Sequence, residues 1–242
     1  MTKATTRLTM AVAMAMALAA PARGQGADPP IKKGFVSVYA GAQPQRRTVT
    51  ATTSFPLYEE TATITSNQRI RNGALIQVGG GVRVRGPLAV GVRFSMFGRP
   101  GTSSVSAVIP DPIFFSRPKT VTADASSVEH TERGVHINAV WLVPTGSRFD
   151  IALSAGPSII HVSQELTSVS VQPGTQNIAV VKAAETGNAM GFNAGLDATY
   201  RITPQYGAGI FVHYAAGSVD LASAPGFEVG GVQAGVGFHV RF

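Results

Sequence analysis

The residues able to do chemistry in this chain are few and widely spaced. Five histidines, His130, His136, His161, His213 and His239, stand apart, with no i, i+2 or i, i+4 pairing of the kind that holds a metal ion. No cysteine occurs, which removes thiolate ligands, disulfides, cysteine nucleophiles and a lipid-modified anchor. Gly79-Gly80-Gly81 makes no phosphate loop, because a strand pattern follows it where a helix N-terminus is needed. What remains is isolated charge set between apolar neighbours, as in Val92-Arg93-Phe94 and Leu196-Asp197-Ala198. A charge enclosed in protein is costly unless paired, so Arg93 and Asp197 are expected to pair. No cofactor or metal is implied.

The elements that must position these charges are strands. Residues 228–242 alternate: Val232, Ala234, Val236, Phe238, Val240 and Phe242 on one face, Gln233, Gly235, Gly237, His239 and Arg241 on the other. A period of two is a strand with one oily and one polar face. The same pattern runs through 73–85, 88–96, 134–143, from Phe149, through 190–202 and through 206–214. A first strand at 34–43 has ambiguous faces, because Phe35 and Tyr39 compete with Val36, Val38 and Ala40 for the outside. Gly86-Pro87, residues 144–147 and Thr203-Pro204-Gln205 read as tight turns. Residues 45–68, 99–129 and 164–187 read as long loops, the second because of Pro100, Pro110, Pro112 and Pro118. Pro157 should need a bulge or a rim position, since it cannot donate to a ladder.

Eight strands follow, with connections alternating long and short. This predicts an all-β, eight-stranded antiparallel up-and-down transmembrane barrel over 34–242, with short periplasmic turns and long extracellular loops. Trp141, Tyr200 and Tyr206 flank the short turns, where a lower aromatic girdle belongs, and Tyr214 sits near an upper one. Eight strands leave an interior just filled by side chains. Arg93 and Asp197 fall near mid-height, above a lower polar layer of Arg83, Arg85, Asp150, Arg201, His239 and Arg241. Such a lumen is either a plug of paired charges or a gated anion path.

The N-terminus supplies an export address. Lys3 and Arg7 precede the thirteen-residue apolar run Leu8 to Ala20, and Ala20-Pro21-Ala22 offers an A-x-A cleavage site. Residues 1–22 therefore read as a signal peptide and 23–33 as a short periplasmic lead. The net charge of +7 brings no basic run with interleaved aromatics, so nucleic acid is not an expected partner. An exported basic chain meets lipopolysaccharide phosphates instead. Charged residues make up only 14% of the chain, low for a water-soluble protein.

Together these residues resemble the small outer-membrane β-barrels of the OmpA membrane-domain and OmpX type. The match covers roughly 34–242 and its motif is mainly the C-terminal signature Phe238, Val240 and Phe242. The resemblance implies an outer-membrane location, contact with outer-membrane lipid, and reading of that signature by the barrel-assembly machinery. A second, narrower resemblance concerns His213-Tyr214-Ala215 with Glu228, similar to the catalytic stretch of the lipid A 3-O-deacylases. That stretch needs His-x-Ser, and Ala215 occupies the serine position, so the nucleophile is missing. The expected function is a non-enzymatic surface protein whose barrel anchors contact-making loops. A narrow pore is the rival, and a lipid-modifying enzyme the third reading.

Overall fold

The computed structural model describes residues 33–44, 47–70, 72–143, 145, 148–172 and 177–242. The signal segment 1–22, the lead as far as residue 32 and Gly146 lie outside the described residues. Ten strands form: β1 (Gly34–Gln43), β2 (Arg47–Leu57), β3 (Glu60–Ile70), β4 (Gly73–Arg85), β5 (Leu88–Ile109), β6 (Lys119–Val143), β7 (Phe149–Val171), β8 (Ile178–Arg201), β9 (Tyr206–Leu221) and β10 (Ala224–Arg241). They hydrogen-bond in the order β2-β3-β5-β4-β1-β10-β9-β8-β7-β6, and β5 also pairs with β6. That pairing closes an eight-stranded antiparallel ring of β1 and β4 to β10. β3 and β4 pair in succession with the same strand β5, Arg69 opposite Thr102 and Ala74 opposite Gly98. They are two lengths of one stave. β2 and β1, paired with β3 and β4 in turn, are two lengths of another. The ring has the expected eight staves.

The three long loops are the main correction. Residues 45–68 are largely the β2–β3 hairpin, turning at Tyr58 and Glu59, both with positive φ. Most of 99–129 belongs to β5 and β6, which stay paired up to Ile109 opposite Lys119. Likewise β7 and β8 pair without a break up to Val171 opposite Ile178. The prolines misled because three of them, Pro110, Pro112 and Pro118, share one connection, while Pro100 stays within β5 on its exposed face. A membrane crossing takes about 9–11 residues per strand. β7 has 23 and β6 has 25, so more than half of each stands outside the bilayer. Pro157 also departs from expectation. It lies inside β7, paired with Phe192, and its missing N–H leaves a gap in the β6–β7 ladder between the pairs His136–Ser158 and Ala139–Ala155, with no shift of register.

Inward and outward parity runs unbroken along β5 and β9, but hydrophobicity changes sides; on β6 the alternation slips by one at Ser127, opposite the bulge between Gly101 and Thr102, and on β7 at Leu166–Thr167. On β5 the outward Val90, Val92, Phe94 and Met96 are exposed, whereas the inward Arg93 is buried. Past Phe97 the apolar residues are the inward Val105, Ala107 and Ile109, and Thr102, Ser104 and Ser106 face out or sit at the surface. On β9 the change falls between the outward Tyr214 and the inward Ala215, Val219 and Leu221. Below the change the solvent is hydrocarbon and the oily face turns out. Above it the solvent is water, and the oily face turns in to form ordinary cores. One core joins Ile160, Val162, Val219, Leu221, Phe227 and Val229; another joins Ile64, Val105, Ala107, Ile109 and Val169.

Candidate functional site

At the middle of the lumen, side chains from every stave of the ring meet in one hydrogen-bonded layer. β1 supplies Gln43, whose Nε2 donates to the Gly230 carbonyl at 2.8 Å and whose Oε1 accepts from Gln233 Nε2 of β10 at 3.1 Å. Gln233 Oε1 accepts from Gln77 Nε2 of β4 at 2.6 Å, and Gln77 Oε1 lies 2.8 Å from His213 Nδ1 of β9. His213 is the hub. Its Nε2 lies 3.2 Å from Asp197 Oδ1 of β8, and Arg93 Nη1 of β5 stands 2.6 Å from Nδ1. Arg93 Nη1 is also 2.7 Å from Nε2, so the guanidinium sits against both ring nitrogens; a neutral ring protonated at Nε2 donates to the carboxylate, and one protonated at Nδ1 donates to Gln77 Oε1. Arg93 Nη2 donates to Asn193 Oδ1 at 2.9 Å, and Asn193 Nδ2 donates to Ser158 Oγ of β7 at 3.0 Å. Ser158 Oγ is 2.7 Å from His136 Nδ1 of β6, whose Nε2 is 2.9 Å from Ser95 Oγ. These side chains form a septum.

A second hydrogen-bonded layer lies above it. Glu132 takes the Gly230 N–H at 3.0 Å and lies 3.0 Å from His130 Nε2, while His130 Nδ1 is 2.7 Å from Gln164 Oε1. Phe97 and Phe227 flank the His130 ring. Gly230, with φ of +86°, turns both halves of its peptide to the lumen; a Cβ there would meet the Ala215 carbonyl oxygen at 2.3 Å. Only glycine accepts that position. Below the septum, Tyr39 packs edge-on against Phe211, His213 and His239. The ambiguity of the first strand is thereby resolved: Ser37 and Tyr39 point inward.

The expected charge network is really two. Arg93 and Asp197 are both buried at mid-height, but they are joined through His213, not to each other. Among the ion pairs of the described residues none links the two directly. Nearer the short turns, Arg201 Nε lies 3.5 Å from Asp150 Oδ2 and Arg241 also donates to Asp150. Arg83 is exposed at the mouth. His239 Nδ1 is 2.8 Å from Ser37 Oγ. Parity located the inward glutamines and Asn193 without indicating their partners, because strand alternation carries no information about what stands across a barrel. No group of three His, Cys, Asp or Glu among the described residues could hold a metal.

Outward, the lipid belt is continuous. Trp141, Tyr200, Tyr206 and Tyr214 are all exposed on that face, with Tyr206 stacked on Phe238 and Tyr200 against Phe149. Leu196, Ile210, Val212 and Val236 are 44%, 62%, 49% and 61% exposed, a surface that water would not tolerate as a continuous band. A closed ring has no free edge, so it can meet hydrocarbon on every side. The chain is a transmembrane β-barrel. Phe242, its last residue, exchanges both backbone hydrogen bonds with Gly34 at 2.9 and 3.0 Å, closing the β1–β10 seam.

No protein-family model matches the chain, and no curated protein matches it in sequence. Solved structures similar to it include Neisserial surface protein A (NspA), 15% identical over 86% of this chain and 97% of that one, with a TM-score of 0.48. The outer membrane protein OprG of Pseudomonas aeruginosa is 10% identical over 87% and 97%, TM-score 0.45. Ail, the attachment invasion locus protein of Yersinia pestis, is 10% identical over 86% and 98%, TM-score 0.41. The barrel assignment rests on the hydrogen-bonded ring and its belt.

His213 lies inside the lumen with the septum, and Ala215 is in the inner apolar core, so neither faces the lipid that a deacylase would cleave.

Proposed function

We propose that this chain is a non-enzymatic outer-membrane anchor that holds a stiff β-structured extension above the lipid and presents its tip for contact with another surface. The carrying observation is the connection between β5 and β6. Ile113, Phe114 and Phe115 are 76%, 56% and 72% exposed there, although the cores beneath bury most apolar groups. The tip is held in shape: Asp111 Oδ1 accepts the N–H groups of Ile113 and Phe114 at 2.8 and 2.9 Å, which keeps its carboxyl below the usual carboxylate range. Ser116 N donates to Glu60 Oε1 of the neighbouring hairpin, and Arg117 lies over the Phe114 ring. Large apolar groups fixed in water at the end of an extension mark a contact site. The septum argues against the pore reading. Outer-membrane lipid and lipopolysaccharide surround the belt, and the barrel-assembly machinery reads Phe238, Val240 and Phe242 during insertion.

Two measurements test this. In planar bilayers the purified chain should give no discrete conductance steps; reproducible steps would establish the pore instead. Cells carrying Ile113→Ser, Phe114→Ser and Phe115→Ser together should show the barrel at unchanged surface levels but lose adherence to host-type cell layers and to one another. Unchanged adherence at equal surface levels would refute the contact role.

A further inference from the structure

Beneath the septum the lumen opens into a cavity of about 700 Å³ whose wall reaches from Arg93, Tyr39 and Asp197 down to Gly86, Pro87 and Thr145 at the short-turn end. It is a blind cup, open toward the short turns and closed at mid-height. One feature of its wall goes beyond the packing of a plugged barrel: its charge is unbalanced. Lys33, Arg83, Arg93, Arg201 and Arg241 line the cup against only Asp150 and Asp197. Both carboxylates are already engaged, Asp150 by Arg201 and Arg241 and Asp197 by His213.

We infer that the cup is a binding site for a small oxyanion, a phosphate or carboxylate, taken up from the short-turn side. Water alone would not neutralise the surplus of positive charge in a low-dielectric wall. The accessible guanidinium groups of Arg83, Arg201 and Arg241 can donate to the anion. The volume suits a molecule of metabolite size, and the inward glycines Gly79 and Gly91 keep that stretch of wall clear of side chains. The septum prevents passage, so the site retains what it takes up or samples it. This inference does not depend on what the opposite end of the molecule contacts.

The test uses the whole barrel refolded in a neutral detergent, with inorganic phosphate and glucose 6-phosphate as probes and glucose as the uncharged control. Titration followed by amide NMR should give saturable shifts at Ser37, Asn138, Ser154 and Thr199 for the two phosphates, and none at Val105. Shifts that stay linear, or that are scattered over the surface, would overturn the site. A second readout uses Ser154→Cys, the sole thiol in a cysteine-free chain. An anionic methanethiosulfonate should modify it roughly tenfold faster than a cationic one of similar size. Phosphate should slow that reaction, and Arg83→Gln should shrink the preference. Equal rates for the two reagents, or no reaction with either, would sink the proposal even if the barrel is correctly folded.

Discussion

At the scale of single residues, the barrel makes neighbours on one strand answer to different solvents. Leu196 is 44% exposed to lipid and Asp197 is 7% exposed in the lumen. Leu196→Arg places a charge against hydrocarbon and should cost roughly 2–4 kcal/mol of folding free energy in lipid vesicles. Asp197→Asn should be milder, because His213 can still donate to an amide oxygen in its place. The severe change is at the hub. His213→Ala removes the group that joins Arg93 to Asp197, leaves a buried carboxylate and guanidinium each short of a partner, and should destabilise by roughly 3 kcal/mol or more. Urea midpoints for refolding into vesicles check all three. The cycle formed by Arg93→Gln and Asp197→Asn should show coupling only while His213 is present; undiminished coupling in the His213→Ala background would mean the two charges interact directly.

At the scale of elements, each long strand contains two differently solvated lengths joined without a break. Val105 is fully buried in the upper part of β5, in the core with Ile64 and Ile109. Val105→Asp should open that core while leaving the belt around Val92 and Phe94 inserted. Proteinase K on intact cells is expected to cut the variant between 99 and 129 and leave a protected barrel fragment; wild-type resistance would show that the extension does not depend on its apolar interior. The terminal strand carries a separate expectation. Phe242 completes the seam with Gly34, and its ring occupies the space where a Gly34 side chain would stand. Deleting it should reduce the outer-membrane fraction several-fold and leave chain in the periplasm, as fractionation would show. Wild-type levels would refute its role as an assembly signal.

At the scale of the whole molecule, the hydrogen-bonded layer stands between an upper length with apolar cores and a polar, cationic lower cup. Orientation decides which end meets the exterior. Single cysteines at Phe114 and Pro204 lie at opposite ends of the barrel, in a chain with no native thiol. An impermeant maleimide should label position 114 on intact cells and position 204 only after permeabilisation. The opposite result would invert the topology and send the aromatic tip into the periplasm.

Alternation alone determined the staves. Where hydrocarbon surrounds the ring, outward residues are apolar and most inward ones small or polar, so a period of two is written plainly through residues such as Val90 to Met96 and Phe192 to Tyr200. The same rule lost its force above the lipid. There, apolar Val105, Ala107 and Ile109 alternate with serines and a valine, and the faces have traded places, so a search for one continuous oily face ends at Phe97 and reads loop beyond it. The Ala62-Thr63-Ile64-Thr65 stretch shows that the period was still present, with its phase reversed. The septum was beyond the reach of any pattern along the chain. Gln43, Gln77, His213 and Gln233 are brought together by ring closure, which sets residues up to 190 positions apart within 3.1 Å. Local sequence specifies which way a side chain points, but the shear and closure of the barrel decide what it meets there.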